Sequence, residues 1–149
     1  MAEVHTDESW KAVMLRLGSE VFALEAGIVR EILDLVPVTE VPGARAFIRG
    51  VINVRGKVVP LADLRLCFGM AATPPTPESR MVVIEIDLAG DPTTVGILAD
   101  KVNEVTEMAA ASTEETPRIG MQWRPEFIRS IGKCKEDFVV IPNMERIFS

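Results

Sequence analysis

An all-β fold is expected for this chain. Its apolar residues come in short runs separated by Gly, Pro, Asn and Asp, at spacings typical of strands. No substantial segment carries the longer period of an amphipathic helix, so the pattern is about ten short strands with little helix, which points to a barrel or sandwich. A proline-rich stretch near the middle, Ala71–Glu78 with Pro74, Pro75 and Pro77, reads as a linker and suggests two lobes. No internal repeat is visible.

Taken in order, Ala12–Leu17 leads through Gly18-Ser19 into Val21–Leu24, a first hairpin. Ile28–Val36 reads as a short helix or a half-buried strand, and its β-branched residues favour a turn at Ala26-Gly27 followed by the strand. Pro42–Gly50 is broken by Pro and Gly into a loop or a single helical turn. Val51–Val54 and Lys57–Leu61 flank Arg55-Gly56, a tight hairpin with glycine where a positive φ costs little. Ala62–Phe68 is one or two helical turns stopped at Gly69. Beyond the linker, Met81–Leu88 is a strand and Ala89–Thr93 a turn. Val95–Ala99 is the next strand, and its pattern lets it run on through Val102, Val105 and Met108. Ala109–Gly120 is a polar loop, and Glu126–Ile131 and Phe138–Pro142 form a last hairpin around Gly132–Asp137. Asn143 is placed to cap a terminal helix, Met144–Phe148.

The 149 residues are 48% hydrophobic but only 5% aromatic, without tyrosine, so an aliphatic core large enough for one domain is available. The formal charge of −6 argues against a nucleic-acid surface, which needs clustered positive charge. The two cysteines, Cys67 and Cys134, form no CxxC pair and read as one semi-buried thiol and one near a turn, with neither a disulfide nor a metal site expected. The first residues lack the basic end and apolar run of a signal peptide. No stretch approaches the ~20 apolar residues of a membrane span, so a cytoplasmic protein without membrane insertion is expected.

Catalytic constellations are hard to build. The single histidine, His5, lies in a polar N-terminal stretch, which leaves no Ser-His-Asp triad and no histidine metal cluster. No phosphate-binding glycine motif occurs. An enzyme using Glu85, Asp87 or Glu104 on a β-barrel remains one competing reading, and would show as a convergent pocket of perturbed carboxylates. A small-ligand barrel is another, and would need a closed apolar cavity. Trp10 and Trp123 read as residues packed near a barrel opening.

The segment that stands out is Pro42–Pro60, which holds Arg45, Arg49, Arg55 and Lys57 and no acidic residue. Arginines interleaved with Phe47, Ile48, Val51, Ile52 and Val54 suit a protein-contact surface. The alternative is a hairpin with one core face, one solvent face and no partner. Arg55 sits at the hairpin tip, with Glu31 as a candidate carboxylate partner.

The run Phe47-Ile48-Arg49-Gly50-Val51-Ile52-Asn53-Val54-Arg55-Gly56, continued by Lys57-Val58-Val59-Pro60-Leu61-Ala62-Asp63-Leu64-Arg65, resembles the CheW family of chemotaxis coupling proteins. Val29-Arg30-Glu31-Ile32, Val41-Pro42-Gly43, Val95–Val102 and the closing Ile141–Ile147 fit the same pattern, so the likeness runs from about Trp10 to Phe148. It implies two small five-stranded SH3-like β-barrels around a shared hydrophobic core with a short C-terminal helix. A tail at residues 1–11 would precede this domain at 12–149.

The resemblance also implies a non-enzymatic, cofactor-free scaffold in a two-component system. Its partners would be the cytoplasmic tip of chemoreceptors and the regulatory domain of the histidine kinase CheA. A parallel chemosensory pathway is an alternative setting. By resemblance, Glu31 and Arg55 belong to the receptor-facing surface, flanked by Val29, Gly50, Asn53 and Gly56. The resemblance further implies an apolar groove between the barrels, whose other wall would be lined by residues near Val95–Val105, Val102 among them.

Overall fold

The computed structural model describes residues 9–109, 125–134 and 137–149. His5, Trp123 and most of the expected Ala109–Gly120 loop lie outside them, as does the Cys134 side chain. Among the described residues there are ten strands: β1 (Ser9–Leu17), β2 (Glu20–Glu25), β3 (Val29–Leu33), β4 (Ile48–Val54), β5 (Lys57–Ala62), β6 (Arg80–Leu88), β7 (Asp91–Ala99), β8 (Lys101–Ala109), β9 (Ile128–Cys134) and β10 (Asp137–Pro142). Two short helices follow β5 and β10: α1 (Leu64–Cys67) and α2 (Met144–Phe148).

The strands make two five-stranded sheets, ordered β8-β1-β2-β10-β9 and β3-β6-β7-β5-β4. The second barrel is contiguous in sequence and is inserted between β2 and β8 of the first. The lobe boundaries are therefore the single turn Ala26–Ile28 and the residue Asp100 between β7 and β8. This corrects the linker reading of Ala71–Glu78, which joins α1 to β6 within one barrel.

The two sheets share one topology. In each, a single parallel pair interrupts antiparallel neighbours, β10 with β2 and β5 with β7. The strand that ends each such pair runs into a helix capped by an Asx side chain: the Asp63 carboxylate accepts from Arg65 N, and the Asn143 amide oxygen accepts from Arg146 N. Strands β8, β9, β10, β1 and β2 thus correspond to β3–β7 in circular order. No linear repeat can show this, which is why none is visible in the sequence.

Both faces of the central strands are apolar because each faces a different core. In β6, Met81 and Val83 fill the second barrel with Ile52, Val54, Val59 and Leu61. The intervening Val82, Ile84 and Ile86 point to the core between the barrels. In β1, Ala12 and Met14 face the first barrel's interior, where Trp10 also packs, and Val13, Leu15 and Leu17 face the shared core. The period-2 alternation of a strand sorts one apolar run into two cores. Phe22 and Phe68 meet at the centre of the shared core with ring centroids 5.5 Å apart. Leu64 and Cys67 of α1 and Met144 and Ile147 of α2 enter it from the two barrels. Cys67 is therefore buried, deeper than the semi-buried position expected.

The second barrel closes where Thr39 pairs with Val51, their N–H groups donating to each other's carbonyls at 2.9 and 2.8 Å. Gly50 makes this possible. It adopts φ +148°, and a Cβ there would run into the Thr39 carbonyl.

One buried ionic cluster ties these parts together. Arg65, its side chain 3% exposed, donates to both carboxylate oxygens of the fully buried Asp63 at 2.8 Å each. Its Nη1 donates to Asp100 Oδ1 at 2.9 Å and to the Thr73 carbonyl and hydroxyl at 3.2 Å. Hydrogen-bonded to Asp63, the guanidinium is held above even its ordinary high pKa.

Replacing Gly50 with alanine is expected to destabilise the protein by about 2–4 kcal/mol, through backbone strain plus the displaced Thr39 strand. Arg65→Ala strands a buried carboxylate and is expected to cost about 3–5 kcal/mol. Urea denaturation reads both. A loss below 1 kcal/mol for either variant, on the order of a surface substitution, would refute the role given to that residue.

Candidate functional site

The turn between β4 and β5 is a two-residue loop, because Val54 pairs directly with Lys57. Its central residues both have positive φ, Arg55 at 52° and Gly56 at 84°, the combination that matches the twist of a hairpin. Gly56 occupies that region freely, whereas Arg55 does so at some cost. The Asn53 side chain offsets this by accepting from Gly56 N at 2.9 Å, which closes the turn from within. Asn53, Arg55 and Gly56 thus form one local device that projects an arginine from the end of the barrel.

That arginine reaches β3. Arg55 Nε donates to both oxygens of Glu31 at 3.1 Å and Nη2 donates to Oε2 at 2.7 Å, a forked charge-assisted contact. Glu31 is placed by a bulge in β3, where the register against β6 slips between Val29 and Glu31. Arg30, the residue between them, turns outward to Glu85 at 3.1 Å and the Gly27 carbonyl at 2.8 Å. β3 and β4 are the two edges of their sheet, so the Glu31–Arg55 pair bridges the barrel seam on the outside, with the Arg55 side chain 78% exposed. The guanidinium hydrogen-bonded to it holds the Glu31 carboxyl below its ordinary pKa.

The remaining expected residues are placed differently. Gly50 is buried beneath Thr39 and serves closure of the barrel. Val29 and Val102 are half-buried against the shared core from opposite barrels, Val29 on β3 and Val102 on β8 opposite Leu15. The basic excess of Pro42–Pro60 is largely spent within the molecule. Arg45 donates to the Ile147 and Ser149 carbonyls at the end of α2, at 3.2 and 2.7 Å. Arg49 lies 3.7 Å from Asp63. Val58, opposite Asn53, is 71% exposed and is the most exposed large apolar side chain among the described residues.

The competing sites fare differently. Glu85 is engaged by Arg30, and Asp87 and Glu104 are exposed on different sheets. Among the described residues, no group of three or more His, Cys, Asp or Glu is placed to hold a metal, and no helix is long and apolar enough to cross a membrane. The second barrel's core is built from Ile52, Val54, Val59, Leu61, Met81 and Val83. An open cleft of about 260 Å³ reaches this core, lined by Leu35, Val38, Leu61, Met81 and Leu98 with Glu40 and Arg49 among its other residues. The ionic cluster of Arg65 with Asp63 and Asp100 was not anticipated as a unit. Its signal was an arginine set among Leu64, Leu66, Cys67 and Phe68.

The Glu31 shift gives a pH dependence of fixed sign. With its folded pKa depressed, the pair contributes fully above the ordinary glutamate pKa and is lost as pH falls through the depressed value. Carboxyl NMR is expected to give a Glu31 midpoint below that of an ordinary glutamate, and Arg55→Ala is expected to move it back up. An unchanged midpoint in the variant means that Arg55 is not the cause.

The family model described as CheW-like domain matches residues 11–149. The chemotaxis protein CheW of Rhizobium meliloti (strain 1021) is 27% identical over 143 residues, covering 96% of this chain and 90% of that one. CheW of Bacillus subtilis (strain 168) is 31% identical over 116 residues, covering 78% and 70%. Protein PilI of Pseudomonas aeruginosa is 32% identical over 84 residues, covering 56% and 47%. The crystal structure of the scaffolding protein TtCheW from Thermoanaerobacter tengcongensis superposes with a TM-score of 0.81 at 27% identity, covering 100% of this chain and 94% of that one. With a match over nearly its whole length in both sequence and fold, the chain belongs to the CheW-like domain family of coupling and scaffold proteins.

Proposed function

We propose that the protein couples the cytoplasmic tip of chemoreceptors to a CheA-type histidine kinase, as a non-enzymatic adaptor acting through contact geometry. The observation that carries this reading is the Glu31–Arg55 pair, fixed by a positive-φ turn and presented at the barrel seam of a CheW-like fold. A surface ion pair contributes little to stability, so this elaborate placement makes sense as a shaped contact surface. Asn53 and Gly56 support the turn in this reading. Val29 and Val102 form apolar walls on the two barrels, and the exposed Val58 extends the apolar area on the hairpin.

A second reading is the same adaptor serving a parallel chemosensory pathway with other receptors. The match to PilI, a relative not named for chemotaxis, is the observation that favours it.

A pull-down with a chemoreceptor cytoplasmic fragment and the CheA regulatory domain tests the proposal. Wild type is expected to retain both, and Arg55→Glu, which sets two carboxylates against each other, is expected to lose the receptor fragment and keep the kinase domain. Capture of neither partner by wild type overturns the coupling role. Capture of both by the variant overturns the site while leaving the role.

A further inference from the structure

Asp100 is the one residue between β7 of the second barrel and β8 of the first, and its two carboxylate oxygens serve different barrels. Oδ1 accepts from Arg65 Nη1 at 2.9 Å, on the side of the second barrel. Oδ2 accepts from the backbone N–H of Gly18 at 2.6 Å, in the turn between β1 and β2 of the first. The Asp100 N–H donates to the Arg16 carbonyl at 3.0 Å, again in the first barrel. Arg65 in turn is anchored on both oxygens of Asp63, at the end of β5. A continuous line of charged hydrogen bonds thus runs from β5 through Arg65 and Asp100 to the β1–β2 turn.

The chemistry of this link is specific to a carboxylate. It offers acceptors on both oxygens, whereas the isosteric amide offers one oxygen and would turn an N–H towards a donor. The shared core supplies most of the adhesion between the barrels, but hydrophobic contact is non-directional. Short charge-assisted hydrogen bonds add the directional constraint. Val102, on the first barrel, follows Asp100 by two residues, while Glu31 and Arg55 belong to the second.

We infer that Asp100 is a positioning residue that fixes the angle between the barrels, so that a contact made on one barrel is transmitted to the other without slack. The angle stands on the geometry alone, and the transmission rests on the coupling function proposed above. Loss of the link leaves each partner's own contact surface in place and reduces only what passes between them.

The test uses the full chain carrying Asp100→Asn. Backbone residual dipolar couplings in a weakly aligning medium are expected to fit one alignment tensor across both barrels in wild type, and to need separate tensors in the variant. A single tensor for the variant overturns the inference. In receptor-containing membranes with CheA, the variant is expected to bind receptor fragment and kinase domain as wild type does, while receptor-dependent kinase stimulation falls about threefold to tenfold. Unchanged stimulation, or loss of either pairwise interaction, overturns the transmission role. Failure of wild type itself to stimulate the kinase counts against the coupling function instead, and the tensor comparison still decides the angle. Arg65→Lys keeps the charge but cannot hold Asp63 and Asp100 together in a fork, and is expected to give the same two-tensor result. It decides the question should Asp100→Asn fail to fold.

Discussion

The buried Arg65 guanidinium is the constraint around which the molecule is organised. An arginine taken out of water is costly unless every donor finds a charged or polar partner. Here two partners are close in sequence, Asp63 at the end of β5 and Thr73 in the following loop, while Asp100 between the barrels is distant and links the cluster on to Gly18 in the first hairpin. Each of these segments lacks regular pairing where it meets Arg65. The cluster therefore orders what the ladders leave open. The half-exposed Arg49, 3.7 Å from Asp63, brings a second positive charge to a group that otherwise holds two carboxylates and one guanidinium.

Against that fixed centre, the candidate site is peripheral and cheaply built. Three residues of the hairpin turn and one strand bulge suffice to set Arg55 against Glu31. The pair is open to water and screened, so its value lies in shape and charge pattern. Separating a rigid interior from a lightly held rim lets contact residues change while the fold persists.

Much of the architecture was legible because turn chemistry is local. Gly18, Gly56 and Gly90 all sit at positive φ in tight turns, and Asn143 caps the helix its position implied. Glu31 and Arg55 could be paired by reasoning about a hairpin tip. What could not be read depends on long-range geometry. The crossing at Asp100 has neither Pro nor Gly to mark it, whereas the prolines of Ala71–Glu78 advertise a boundary that does not exist. Arg45 and Arg49 counted as surface charge until their partners, over a hundred residues away for Arg45, were in view. The duplication of the barrel is hidden by its circular strand order.

The insertion of one barrel within the other sets an order of events during synthesis. All five strands of the second barrel emerge before β8, whereas β2 must pair with β10 through Val21 and Val139. At typical translation rates that partner leaves the ribosome roughly 6–24 s after Val21. Through that interval the first hairpin has an unpaired edge and an uncovered apolar face. The nascent second barrel offers Val82, Ile84, Val95 and Ile97 as the surface on which it can shelter.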